Sequence, residues 1–111
     1  MKGKGESLMI REIDIWEYAK SRSEDDLVVD LREPHMYQYG TLPGAVNIPI
    51  GQIQRLYELP KDRDIYLFCQ AGEFSEEIAE LLSDNGFRTC NLTGGYRKYL
   101  RCSLEESGSG T

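Results

Sequence analysis

Residues 65–82, IYLFCQAGEFSEEIAELL, constrain this chain more than any other stretch. The segment opens on four apolar residues, Ile65, Tyr66, Leu67 and Phe68, after a polar turn of Lys61, Asp62, Arg63 and Asp64. A short apolar run bounded in this way reads as a buried strand. The segment closes on Ile78, Ala79, Leu81 and Leu82, spaced as one face of a helix that starts near Ser75. Between them lies a loop of Cys69, Gln70, Ala71, Gly72, Glu73 and Phe74. A cysteine thus stands at the carboxyl end of a strand and faces the amino end of a helix.

That position has chemical consequences. The first amides of a helix lack internal partners and carry the positive end of its dipole. A glycine in the loop lets further N–H groups turn inward and form an anion-binding nest. A thiolate at the centre is stabilised, which makes Cys69 nucleophilic. In open α/β sheets the carboxyl ends of strands are also where ligands bind. Taken alone, Cys69 also reads as a small buried hydrophobe that ends a strand.

The rest of the chain alternates strand and helix signals. Residues 9–13 form a weak strand. Asp14 follows as a helix N-cap, with Glu17 three positions on, and Ile15, Trp16, Tyr18 and Ala19 give that helix its apolar side. Leu27, Val28 and Val29 form a second strand that ends at Asp30 and Arg32. Pro34 suits the first turn of a short helix ending at Tyr39 and Gly40. Residues 45–48 read as a brief strand. Ile53, Leu56, Tyr57 and Leu59 suggest a helical stretch. After Asn85 and Gly86 come a last strand over residues 88–92, a tight turn at Thr93, Gly94 and Gly95, and a final helix over 96–102. No hairpin signal intervenes, so the pattern predicts a parallel sheet covered on both faces.

A length of 111 residues suits one domain with a small core. The net charge of -6 and the lack of a basic stripe argue against a nucleic-acid surface. No run reaches the length of a membrane span, and residues 1–6 do not read as a secretory signal. Three loosely spaced cysteines fit neither a disulfide framework nor a zinc site. The expected setting is reducing and cytoplasmic, with no metal.

Three stretches together resemble the rhodanese domain family. Residues 30–34, DLREP, with Tyr37, Gly40 and LPGAVNIP over 42–49, resemble its first signature. Cys69, Gln70, Ala71 and Gly72 before a helix resemble its active-site loop. Leu92, Thr93, Gly94 and Gly95 before a final helix resemble its closing segment, with Tyr99 where the family often has tryptophan. The combination, in order and spacing, is specific where each piece alone is weak. The resemblance implies a three-layer α/β sandwich with a central, mostly parallel five-stranded sheet and helices on both faces. The expected layout is a flexible segment over 1–8, the domain over 9–103 and a flexible tail or linker over 104–111.

The resemblance also implies sulfur transfer. Cys69 takes a sulfane sulfur from thiosulfate or a persulfide, holds it as a persulfide, and passes it to a thiol or cyanide. The backbone amides of Gln70, Ala71, Gly72, Glu73, Phe74 and Ser75 would surround the anion. Asp30 and Arg32 are expected as a structural ion pair beside the site. No cofactor is required, because the enzyme thiol carries the sulfur. The expected partners are a small sulfur donor and a thiol acceptor, with a sulfur-relay protein as a further possibility, and neither nucleic acid nor membrane.

The chain departs from the family pattern in ways that bear on chemistry. Phe74 stands where family loops often carry arginine, and Glu73, Glu76 and Glu77 add negative charge nearby. Each such repulsion near a surface is on the order of 1 kcal/mol and weakens with salt. Weak activity with free thiosulfate is therefore expected. Met36 replaces a usual glutamate and Thr41 a usual histidine. His35 reads as a surface residue, Cys90 as core, and Cys102 as an exposed thiol without an assigned role. The related cysteine phosphatases need arginine six positions after the cysteine to grip a phosphoryl group; that position is Ser75. A non-catalytic or regulatory docking module on the same fold is the alternative reading, since fold does not fix function.

Overall fold

Val28 and Val29 are consecutive on one strand, and both are buried, at 1% and 0% exposure. Neighbouring strand residues point to opposite faces. Both faces of the sheet must therefore be covered. The computed structural model, which describes residues 10–109, shows how. The elements run β1 (Arg11–Asp14), α1 (Ile15–Ser21), β2 (Leu27–Asp30), α2 (Pro34–Tyr39), β3 (Val46–Asn47), a 3-10 segment (Ile50–Glu58), β4 (Asp64–Phe68), α3 (Glu73–Asp84), β5 (Arg88–Thr93) and α4 (Gly95–Ser109). The five strands form one sheet in the order β1-β5-β4-β2-β3. All four pairings are parallel. The fold is the expected α/β sandwich, with β4 at the centre of the sheet.

Each face has its own core. Val29, Ile65 and Leu67 pack with Leu56, Ile78, Ala79, Leu82 and Phe87, which joins the sheet to α3 and the 3-10 segment. Val28, Phe68 and Leu92 pack on the other side with Ile15 and Tyr18 of α1, and Tyr96 and Tyr99 of α4 lie against them. Tyr99 also meets Trp16 at 5.9 Å between ring centroids, so α4 is held partly by α1.

Several elements differ from the sequence reading. Met9 lies outside the described residues, and β1 begins at Arg11. The helical stretch expected after Pro49 is a 3-10 segment that begins at Ile50, with a kink at Gln52. Its apolar residues explain this: Ile50, Ile53, Leu56 and Leu59 recur every third position, the period of a 3-10 helix. The expected tail over 104–111 is corrected in part, because α4 continues through residues 104–109. Nothing in Arg101, Cys102, Ser103, Leu104, Glu105 or Glu106 breaks a helix before Gly108. Residues 1–8, expected to be flexible, and residues 110–111 lie outside the described part.

Asp14 joins the two ends of the domain. Its carboxylate accepts from the amides of Trp16 at 3.0 Å and Glu17 at 3.1 Å, capping α1. The same side chain pairs with Lys98 of α4. Desolvation pushes the Asp14 carboxyl up, but the Lys98 bond and the two amides outweigh it and hold it below the ordinary carboxylate range. A depressed folded value means that the stability is present above the unfolded value of about 4 and is lost as pH falls through the folded one. Asp14→Ala should therefore cost about 1 kcal/mol at neutral pH through the cap alone. Denaturant melts of mutant and wild type should converge in acid.

Candidate active site

The loop after β4 sits at the carboxyl edge of the sheet, where β2 lies on one side of β4 and β5 on the other. Cys69 is its first residue and is 6% exposed. Gly72, at φ 100°, is the N-cap of α3, and the helix starts at Glu73 rather than near Ser75. This left-handed conformation suits glycine alone, and a Cβ here would lie 2.9 Å from the Gly94 nitrogen. Glycine has no side chain to cap with, so the sulfur serves instead. Cys69 Sγ accepts from the amides of Gly72 and Ser75, each at 3.2 Å. Ser75 N–H is the third amide of the helix, the one that a capping side chain ordinarily takes. These two donors, with the positive end of the α3 dipole, favour negative charge on the sulfur.

The other loop residues form the pocket in front of the sulfur. Gln70, Ala71, Glu73 and Phe74 line a cavity of about 440 Å³ together with Cys69. Leu31, Met36 and Ile50 supply its apolar wall, and Glu33 and Arg32 complete it. Phe74 is 36% exposed, so its ring forms part of the rim. Of the six amides expected around the sulfur, those of Gly72 and Ser75 donate to Sγ.

Asp30 and Arg32 form the expected ion pair. The Asp30 side chain is fully buried and receives Arg32 Nη2 at 2.7 Å and Nε at 3.0 Å, the Arg32 amide at 2.9 Å and Thr41 Oγ1 at 2.8 Å. Arg32 also donates to the Gly40 carbonyl at 2.6 Å and lies 4.1 Å over the Tyr96 ring. Thr41, a departure from the family pattern, is thus part of this network. Arg32 further lines the Cys69 pocket itself, where the sequence reading places the pair only beside the site. The signal lies in the register: Asp30 pairs with Phe68 across β2 and β4, so residues just beyond each strand end must meet.

Two further residues were not singled out from the sequence. Ser75 Oγ lies 3.4 Å from Sγ and 2.6 Å from Asn91 Oδ1. Asn91 Nδ2 reaches Glu12 Oε2 at 3.0 Å and the Gly72 carbonyl at 3.2 Å. Asn91 and Glu12 sit on β5 and β1, far from the loop in sequence, and no local pattern marks them.

The remaining candidates lie apart from the sulfur. His35 is exposed and lines a neighbouring hollow with Tyr39 and Tyr96. Cys90 is fully buried, and burial pushes its thiol up to about 11. Cys102 is partly exposed on α4. Among the described residues no group of three or more His, Cys, Asp or Glu could hold a metal ion. No described helix is long and apolar enough to cross a membrane.

Residues 16–102 match the family model of the rhodanese-like domain, and the chain belongs to that family. It is 35% identical over 100 residues to a sulfurtransferase of Allochromatium vinosum, covering 86% of this chain and 94% of that one. It is 34% identical over 83 residues to the putative sulfur carrier protein YrkF of Bacillus subtilis, covering 72% of this chain and 45% of YrkF. The crystal structure of reduced Bacillus anthracis CoADR-RHD superposes with a TM-score of 0.73 at 31% identity, over 81% of this chain and 16% of that one. Sulfur transfer is the chemistry that the relatives' names support at the level of the family.

The loop is also held from behind. The Tyr96 and Arg97 amides donate to the carbonyls of Cys69 and Gln70, each at 2.9 Å. Gly95, at φ 66°, permits this approach: a Cβ there would come within 2.6 Å of both carbonyl oxygens. Gly95→Ala should therefore cost about 2 kcal/mol or more by overpacking. It should also loosen the loop, read as a lower melting temperature together with altered Cys69 alkylation.

Proposed function

We propose that the protein is a sulfurtransferase in which Cys69 carries the transferred sulfur as a persulfide. The observation that carries this reading is the Cys69 sulfur receiving two amide hydrogen bonds at the floor of an open pocket. In the first step the thiolate attacks the sulfane sulfur of the donor. The new S–S bond forms as the old one breaks, and the leaving group departs with the electron pair, as sulfite from thiosulfate or as a thiolate from a persulfide. An acceptor thiolate or cyanide then attacks the outer sulfur, and the Cys69 thiolate is restored. The same two amides hold the negative charge before and after transfer, which is the role of preorganised donors. The scheme asks for no metal or organic cofactor.

The pocket wall favours a particular donor class. Leu31, Met36, Ile50 and Phe74 are apolar, and Glu33 and Glu73 add negative charge. The cation that lines the pocket, Arg32, is already paired with Asp30. A dianion such as thiosulfate therefore meets repulsion without a free guanidinium. A persulfide on a thiol, small or protein-borne, fits better. Relatives named as a sulfur carrier and a tRNA sulfurtransferase support a relay partner of this kind. Three free cysteines suit a reducing, cytoplasmic setting.

Intact mass after incubation with glutathione persulfide should rise by about 32 Da, the mass of one sulfur held covalently. Cyanide should release it, and Cys69→Ser should not gain it. Absence of loading from both glutathione persulfide and thiosulfate would favour a docking module instead. Glu73→Ala combined with Phe74→Arg should raise kcat/KM for thiosulfate about tenfold by replacing repulsion with attraction. An unchanged value would refute the donor preference.

A further inference from the structure

We propose that Glu12, on the edge strand β1, sets the direction of a buried hydrogen-bond chain ending at the Cys69 sulfur, and so decides whether Ser75 can donate to it. The chain runs from Sγ to Ser75 Oγ at 3.4 Å, to Asn91 Oδ1 at 2.6 Å, and from Asn91 Nδ2 to Glu12 Oε2 at 3.0 Å. Ser75 is 0% and Asn91 1% exposed, so water does not replace these partners. Glu12 is exposed at the outer end.

The direction follows from counting protons. The Asn91 NH2 group faces two acceptors, the Glu12 carboxylate and the Gly72 carbonyl. That orients the amide and turns its oxygen toward Ser75. Two oxygens 2.6 Å apart need a proton between them, and the Ser75 hydroxyl has one. Ser75 therefore donates to Asn91 and presents a lone pair to the sulfur. That arrangement accepts an S–H from the thiol. It offers nothing to a thiolate.

The reverse direction gives the anion a third donor. With the Asn91 amide rotated by half a turn, Nδ2 donates to Ser75, and the freed Ser75 hydroxyl has two acceptors, the thiolate and the Gly72 carbonyl at 3.2 Å, of which the charged one is the stronger. Oδ1 then faces Glu12 and Gly72. The Gly72 carbonyl keeps the Glu76 amide at 3.3 Å and opposes the rotated oxygen only as a neutral dipole, whereas an ionised Glu12 opposes it with a full charge and no hydrogen between them. An ionised Glu12 thus holds the chain in the direction that suits the thiol. Other charges face these groups. Glu76 of α3 is close enough that Glu12, ahead of burial, pushes its carboxyl above the usual range. Arg11 beside Glu12 pairs with Asp64 at 3.1 Å, and Asp14 with Lys98. On the pocket side stand Arg32, Glu33 and Glu73. Glu12 is a positioning residue: it acts on the sulfur only through Asn91 and Ser75.

The test is the pH dependence of Cys69 alkylation by iodoacetamide, read by peptide mass. This readout stands apart from sulfur transfer, so it separates the proposal from the functional reading. Glu12→Gln, able to donate to a rotated Asn91, should speed alkylation at the acid foot about threefold or more. In a Ser75→Ala background the same change should do nothing, because the chain is cut. The Glu12→Gln effect should also persist at 1 M salt, where exposed charges are screened within about 3 Å. An unchanged profile for Glu12→Gln would overturn the proposal. So would an effect that survives Ser75→Ala or fades with salt, since either marks simple charge removal. Should Ser75→Ala not fold, the salt series decides alone.

Discussion

A sulfur atom occupies the place of a helix cap, and the arrangement of the domain follows from that. α3 begins at a glycine with no side chain to offer, and its third amide turns to Cys69 Sγ instead. The sulfur is thereby fixed relative to a helix axis and not merely to a loop. The helix in turn is fixed by Ile78, Ala79 and Leu82, which are buried against the sheet. Core packing therefore determines sulfur position through a rigid element. Such support holds a reactive group within the small tolerance that chemistry requires.

The opposite wall of the pocket has a second support of a different kind. Asp30 is a fully buried carboxylate, a costly group unless it is paired and hydrogen-bonded. Arg32, Thr41 and the Arg32 amide satisfy it, and Arg32 is held in turn by Gly40 and Tyr96. The pair fixes the crossing from β2 into α2, although α2 buries none of its own residues. One side of the site is thus positioned by apolar packing and the other by a saturated polar network. Charge is present in quantity at the second, but it is internally balanced. The cavity consequently reads as apolar despite the arginine in its wall.

Most of the architecture was legible because it is local. Alternation in Val28 and Val29, the cap at Asp14, and the strand–loop–helix unit around Cys69 each follow from a few adjacent residues. A helical stretch after Pro49 was legible, but its 3-10 type was not read, because Tyr57 blurs the threefold spacing of Ile50, Ile53, Leu56 and Leu59. The extent of α4 was obscured by a Ser/Gly composition that resembles a linker. What composition could not convey is lateral placement. Asn91 and Glu12 reach the sulfur's surroundings only because β5 lies between β4 and β1. Arg32 meets the pocket because β2 is paired with β4 in one register and not another. Strand order is a global property, and a single sequence carries it weakly.

The docking of α4 behind the loop links the site to the order in which the chain is made. The carbonyls of Cys69 and Gln70 find their donors in Tyr96 and Arg97, 27 residues later in each case (about a quarter of the domain). On the ribosome, synthesis runs from the amino end, so the cysteine emerges well before the residues that hold its loop. Until then the thiol is present without its finished surroundings. The finished loop is in this sense a late-arriving feature, completed when the last described helix closes on the sheet.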